Sequence, residues 1–505
     1  MAEAVTTADV AVAPQILGHP RGLVNLFFTE MWERLSYYGM RALLVLFMTD
    51  QIVNGGMSLN DANAYAIYGI YTAGVYLAAL PGGWIADRLL GAQRSVFFGG
   101  IIIMSGHFVL AVPSVYAFFL GLLLVILGTG LLKPNVSSIV GELYASGDAR
   151  RDGGFTIFYM GINLGAFLGP LICGTLGQSP NFGWHYGFAA AGVGMLFGVV
   201  QFWLTRQNLG GAGLHPVSSG DPLRDAAARR KGWAAVVIAL AIIAAVVSLG
   251  MRGAIIFDPV VISRQTTYVI VGMGVLYFAY VLTLGKLDAI ERKRVIVLIV
   301  LFIGAAMFWS GFEQAGSSLN IFADRYTQLE LGSITLYSTW FQSLNSMFII
   351  LLAPLFSWMW IALAKRNLNP ATPAKFGFGL LFLALGFLTM VGASMIVASG
   401  ELAAPTWLLF TYLFHTIGEL ALSPVGLSAT TKLAPRRFLG QMMGLWFLAT
   451  SLGNLIAGQL AGEFDPNNLQ AFPAEYLSIV LTTGGTGLIL LVFTKPLKRL
   501  MGGID

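Results

Sequence analysis

The sequence predicts an all-α membrane protein of fourteen transmembrane helices, built as two six-helix bundles plus two inserted helices. Three observations carry this expectation. Of 505 residues, 56% are hydrophobic and only 10% are charged, too little polar surface for a water-soluble globule of this length. Apolar runs of about 18 residues or more recur along nearly the whole chain, each able to cross a hydrocarbon core of about 30 Å. A helix satisfies its own backbone where lipid offers no partner, so these runs read as helices.

In order, the spans fall at 22–52, 61–88, 93–112, 115–144, 153–177, 183–205, 231–250, 267–287, 294–325, 334–364, 374–398, 404–433, 437–463 and 473–495. Residues 1–21 read as a short cytoplasmic tail, without the basic start and apolar run of a cleavable signal peptide. The N-terminal bundle is expected over 22–205, a linker with the two inserted helices over 206–293, the C-terminal bundle over 294–495 and a second cytoplasmic tail over 496–505. An even number of spans leaves both termini on one side. Lys and Arg choose that side: 23 lie on the loops that share the termini's side, against 3 (Arg252, Arg264 and Arg325) on the other. Both termini are therefore expected in the cytoplasm of a multi-pass protein of the cell, or inner, membrane. The same bias accounts for the net charge of +5, and no nucleic-acid partner is expected. A single cysteine, Cys173, excludes an intrachain disulfide and a cysteine metal cluster, and reads as a buried thiol in an apolar helix.

The two halves echo one another. Pro81 and Pro354 interrupt corresponding apolar runs, as do Pro134 and Pro424, and Asn163-Leu164-Gly165 resembles Ser451-Leu452-Gly453. Such repeats are a transporter architecture, with the cargo held near the midplane. The inserted pair carries almost no charge within its apolar runs and is expected to lie outside the pathway.

The first span holds Glu30, Glu33, Arg34, Tyr37, Tyr38 and Arg41, which at 100° per residue fall within roughly a 140° arc. An ionised side chain at mid-membrane costs at least about 2.5 to 3.5 kcal/mol on insertion scales, so this stripe must face water or charged partners. Lys133, Glu313 and Glu419 are set in other apolar runs. Together these are three bases against four acids, so a single bound proton would neutralise the set. A carboxylate whose cationic partner is switched away becomes a proton acceptor. The spacing of Trp309, Phe312, Glu313, Gly316 and Asn320 places them on one helix face, Trp309 beside the buried acid. Tyr76, Asn163, Asn345 and Trp446 are further candidates for the cavity, with helix packing as the alternative for each. His415 shares a face with Glu419 and reads as a packed or hydrogen-bonded histidine. Gly128-Thr129-Gly130 before Lys133 lacks the ending of a phosphate loop, and no His-Glu-x-x-His run exists for zinc.

Between the second and third spans, Gly83-Trp84-Ile85-Ala86-Asp87-Arg88-Leu89-Leu90-Gly91-Ala92-Gln93-Arg94 resembles the cytoplasmic loop motif of the major facilitator superfamily, a conformational latch. By that resemblance Gly83, Asp87, Arg88, Gly91 and Arg94 are the latch residues, and the fold is the major facilitator fold. Glu30-Met31-Trp32-Glu33-Arg34-Leu35-Ser36-Tyr37-Tyr38-Gly39 closely resembles the first-helix motif of the bacterial-type proton-dependent oligopeptide transporter family. Leu35 stands where that family usually has Phe. The run Phe158 to Pro170 resembles its fifth-helix motif, and Gly418-Glu419-Leu420 with Ser423-Pro424 its late-helix carboxylate region.

The resemblance implies a proton-coupled symporter importing di- and tripeptides by alternating access. Arg41 and Lys133 would attract the peptide carboxylate, while Glu419, assisted by Asn163 and Asn345, would hold the amino group. Tyr37, Tyr38, Tyr76, Trp309 and Trp446 would line tolerant side-chain pockets. Glu30, Glu33 and Arg34 would form the coupling cluster with Lys133, and Glu313 would exchange between Arg41 and a proton. The expected partners are peptides, protons and the lipid bilayer, with the monomer as the working unit and no metal or organic cofactor. A transporter of another small anion or zwitterion, and a non-transporting nutrient sensor, remain as alternatives. An intramembrane enzyme fits less well, because the buried acids are balanced by buried bases.

Overall fold

The computed structural model describes residues 15–503, apart from residues 17, 146 and 219 and the side chain of Met251. Most of the expected N-terminal tail, with its signal-peptide reading, and the last two residues lie outside the described residues. Each expected span contains a long helix: α1 Arg21–Thr49, α2 Asp61–Ile85, α3 Ala92–Leu110, α4 Val115–Glu142, α5 Arg150–Gln178, α6 Trp184–Thr205, α7 Pro222–Met251, α8 Pro259–Leu284 and α9 Ala289–Phe312. The series continues with the short α10 Ser318–Arg325, then α11 Ser343–Lys365, α12 Thr372–Ala398, α13 Pro405–Leu433, α14 Leu439–Ala461, α15 Phe472–Val492 and a last short helix, α16 Thr494–Leu500. Among the described residues, 11 spans are long and apolar enough to cross a membrane by composition alone. The first helix falls outside that set because it carries the charged stripe.

Helix starts follow local chemistry. Asp221 caps α7 ahead of Pro222 by accepting from the backbone N–H groups of Leu223 and Arg224, and Asp288 with Glu291 forms a capping box at α9. Pro81 and Pro354 lie inside the second long helix of each half, and Pro134 and Pro424 inside the fourth. The echo in the sequence therefore falls on corresponding helices.

One expected span is corrected. Residues 294–325 are not one helix: α9 ends at Phe312, a 3-10 turn covers Glu313–Gly316, and Ser317 breaks the path at φ −120°, ψ −103° before α10 starts. The spacing that put Gly316 and Asn320 on the face of Trp309 assumed an unbroken helix, so it holds only as far as Glu313. Gly316 and the serine pair 317–318 are weak helix formers, and they stand at the break. Likewise, the stretch expected to open a span at 334 instead holds a hairpin of β1 Glu330–Leu331 and β2 Ile334–Thr335 and a 3-10 turn, and α11 starts only at Ser343.

The chain forms two compact units, and the division passes through α1 and α2. The first contains the described residues up to Met40 together with Leu77–Asp258, and the second contains Arg41–Tyr76 with Pro259 onward. In the first, α3 packs on α4 so closely that a Cβ on Gly99 or on Gly128 would lie 2.7 Å from the other's carbonyl oxygen. Small residues give membrane helices this approach, where lipid supplies no hydrophobic drive. Its core joins Leu23, Leu26, Val96, Ile103, Leu132, Val136, Ile139 and Phe202. In the second unit α12 packs between α13 and α15, and α14 packs on α8 and α9.

Candidate functional site

In the first unit the stripe on α1 closes on itself. Arg34 Nε lies 3.1 Å from Glu30 Oε1 and 2.5 Å from Glu33 Oε2. All three side chains are buried, Glu33 completely. The one-turn spacing of Glu30 and Arg34 brings the two side chains onto one helix face. Two carboxylates thus share one guanidinium, and Glu30 Oε2, Glu33 Oε1 and Arg34 Nη2 have no hydrogen-bond partner among the described residues. Lys133 on α4 acts electrostatically on Glu30. The Arg34 guanidinium stands 5.3 Å from the Tyr37 ring centroid, and Tyr37 meets Tyr38 edge-on at 5.2 Å. Helix α5 reaches the stripe through Gly165, where a Cβ would lie 2.9 Å from both Arg34 Cβ and the Leu35 nitrogen. Asn163, buried on the same helix, donates to the Tyr159 carbonyl at 2.9 Å.

The second unit holds the other group. Arg41 Nη1 pairs with Glu313 Oε2 at 3.0 Å, and the guanidinium lies 5.9 Å from the Tyr68 ring centroid. The break after α9 makes a second tie, from Asn320 Nδ2 to the Ala42 carbonyl at 2.8 Å. Glu419 Oε2 accepts from Asn345 Nδ2 at 2.9 Å, and the same amide reaches Thr416 Oγ1 at 3.0 Å. Thr416 in turn donates to the Tyr412 carbonyl at 2.7 Å. Glu313 acts electrostatically on Glu419, and Arg41 on Tyr412. Arg41, Glu313, Tyr412, Asn345, Thr416 and Glu419 are therefore one linked set from α1, the α9–α10 break, α11 and α13.

The remaining candidates sit as follows. Trp309 is buried edge-on to Phe308 and Phe312, and its Nε1 has no hydrogen-bond partner among the described residues. Trp446 meets Phe376 edge-on at 6.3 Å and lines an apolar pocket with Phe278, Phe302, Leu298 and Leu445. Tyr76 is half-buried on α2. Gly83 lies in α2, Asp87 and Arg88 in a five-residue π-turn, Gly91 at its end and Arg94 in the first turn of α3. Within the first unit Asp87, Arg88 and Arg94 form no ion pair among the described residues. Among the described residues, no group of three His, Cys, Asp or Glu side chains is placed to hold a metal.

Sequence reasoning missed Tyr68, Thr416 and Tyr412, and a bidentate pair in which Arg325 Nη1 and Nη2 donate to Asp61 at 2.8 and 3.0 Å. Thr416 had a signal, since it stands one turn before Glu419. Tyr68 had none, being one tyrosine among several on α2, and Arg325 read only as a loop charge.

The model of the POT family matches residues 93–474. The chain is 43% identical to the peptide transporter YePEPT of Yersinia enterocolitica, over 98% of each chain. It is 46% identical to the uncharacterized transporter YclF of Bacillus subtilis, over 96% of each. Among solved structures, a peptide transporter POT variant in complex with alafosfalin superposes with a TM-score of 0.88 at 45% identity, covering 98% of this chain and 99% of that one. A POT family transporter in complex with 5-aminolevulinic acid gives 0.86 at 34% identity, covering 97% and 99%.

Proposed function

The chain belongs to the POT family of membrane transporters, and from that premise we propose that it is a proton-coupled symporter importing di- and tripeptides. The observation that carries the coupling is the pair of buried carboxylates, Glu30 and Glu33, on the single guanidinium of Arg34. With Lys133 as the second cation acting on Glu30, a carboxylate here whose cation is drawn away during the cycle, out of water, is stabilised by taking a proton. Peptide as cargo draws support from the named relatives and from the linked set in the second unit. Glu419, oriented by Asn345, is an anionic acceptor for a peptide amino group, and Arg41 is a cation for the terminal carboxylate. A short zwitterion is measured by its two charged ends, and apolar surface between them accepts varied side chains. Glu313 exchanges Arg41 for a proton during the cycle. The termini are cytoplasmic, the membrane is the cell membrane, and the monomer is the working unit.

The test is uptake of labelled dialanine into proteoliposomes under an imposed inward proton gradient, with and without an uncoupler. Accumulation that collapses with uncoupler supports the proposal; folded, inserted protein without uptake removes it. One second reading has an observation of its own. A structural neighbour is bound to 5-aminolevulinic acid, so a small amino-acid-like zwitterion is the alternative cargo, and competition between 5-aminolevulinate and dialanine separates the two.

A further inference from the structure

Residues 206–217 follow α6 as a polar, glycine-rich connection, the kind of segment that ordinarily runs loose over a surface. Here it is fastened across the 86–94 loop. Gln93, only 7% exposed, donates through Nε2 to the Ala212 carbonyl at 2.7 Å and the Gly210 carbonyl at 3.1 Å. Its backbone N–H donates to the Gly213 carbonyl at 2.9 Å. The Gly213 N–H donates in turn to Glu142 Oε2 at 2.7 Å, and the Val217 N–H donates to the Asp87 carbonyl at 2.8 Å. Leu209 and Ala212 are buried in the same core as Leu132, Ile139 and Phe202. Gly91 and Gly213 permit the approach. Both have left-handed φ, +81° and +64°, and a Cβ would lie 2.7 Å from the Leu214 carbonyl oxygen at the first and 2.8 Å from Ala92 Cβ at the second.

One segment thus ties four helix ends: the end of α2 through Asp87, the start of α3 through Gln93, the end of α4 through Glu142 and the exit of α6 through Leu209. The sequence motif assigned functions in this loop to its glycines, its aspartate and its arginines, and none to Gln93. A buried amide that satisfies two carbonyls leaves both unsatisfied when it is removed, which costs more than the bonds themselves contribute.

We propose that Gln93, with Glu142 as its second anchor, is a positioning residue for transport. By clamping the 209–217 strap it makes the ends of α2, α3, α4 and α6 move as one body. It thereby sets the rate of the conformational cycle and leaves peptide affinity unchanged. This rests on the transport reading above.

The experiment uses the full chain with Ala212→Cys as reporter. Ala212 is 5% exposed, and the one native thiol, Cys173, is fully buried, so maleimide labelling reads release of the strap independently of transport. Gln93→Met removes the donors at similar volume, and Gln93→Lys restores a donor within reach of both carbonyls. The expected result is faster labelling in the Met variant, with maximal dialanine uptake reduced about fivefold, the scale of one net hydrogen bond, and KM within about twofold. The Lys variant returns both readouts toward the parent, whereas Gln93→Glu, which sets a carboxylate against two carbonyls, behaves like Met. Unchanged labelling in the Met variant overturns the clamp, and faster labelling with parental uptake overturns its role in the cycle. Should the Met variant fail to fold, Glu142→Ala releases the strap from its other anchor and the same readouts decide. If the parent itself takes up no dialanine, the transport reading fails alone, and labelling still decides whether Gln93 holds the strap.

Discussion

Arg41 and Glu313 form an ion pair at 3.0 Å with both side chains more than nine-tenths buried. Regular helix geometry does not produce the pair. It joins α1 to the residue at which α9 ends, and Asn320, beyond the break, adds a second tie by donating to the Ala42 carbonyl. Stripping one partner from a buried pair costs about 3–5 kcal/mol, because the other charge is left uncompensated. In the coupling proposed above, both halves of that cost are met: a proton neutralises Glu313 as it leaves, and the peptide carboxylate takes its place on Arg41.

The neutral amide keeps the shape of the carboxylate and abolishes this exchange. Glu313→Gln and Glu33→Gln are each expected to lose accumulation of dialanine driven by a pH gradient while retaining counterflow, which needs no net proton movement. Uptake with and without a gradient, in the same proteoliposome preparation, separates the two. Undiminished accumulation in both variants would remove these carboxylates from the coupling scheme.

Lys133→Ala withdraws the cation that acts on Glu30 from α4 and leaves two acids on Arg34 alone. It is expected to reduce uptake to background while the protein stays folded, since Lys133 is half-buried and outside the hydrophobic core. Size-exclusion behaviour and thermal melting monitor the fold alongside uptake. A folded variant with parental uptake would end the role assigned to Lys133.

What the sequence made legible follows the reach of its signals. Charged residues inside apolar runs were visible because lipid forbids them without partners, and Glu30, Glu33 and Arg34 do meet one another. Helix positions were visible because bilayer thickness sets a minimum length. The break at 313–317 was not, because its short polar run sits inside a stretch whose average hydropathy still reads as one span. Tyr68 beside Arg41 and Thr416 beside Asn345 depend on tertiary approach between helices, which helical periodicity does not encode. Gln93 was hidden for a similar reason: its partners are backbone carbonyls more than a hundred residues away.

Gly165 separates packing from chemistry at the same stripe. A Cβ there would press on Arg34 Cβ and the Leu35 nitrogen, whereas one at Gly485 would meet nothing within 4 Å. Overpacking of a close contact costs about 1–3 kcal/mol. Gly165→Val is expected to lower the melting temperature by several degrees and to depress uptake with it, and Gly485→Ala to leave both unchanged. Equal melting of the two variants would show that α5 has slack against α1.

The amide of Asn345 bonds both Glu419 and Thr416, so it fixes the direction in which that carboxylate offers its lone pairs. If Glu419 receives the peptide amino group, its value depends on charge and on orientation, and two substitutions divide them. Glu419→Gln removes the charge, and a charge-assisted hydrogen bond of about 1.5–3 kcal/mol predicts a KM for dialanine raised about 10-fold or more. Asn345→Ala keeps the charge and frees its direction, so a smaller rise in KM is expected. N-acetyl-dialanine carries no amino charge and should discriminate little between parent and Glu419→Gln. Competition of each compound against labelled dialanine measures all three. Equal loss of affinity for the acetylated and free peptides in Glu419→Gln would mean that Glu419 supports the fold of the second unit and does not receive the amine.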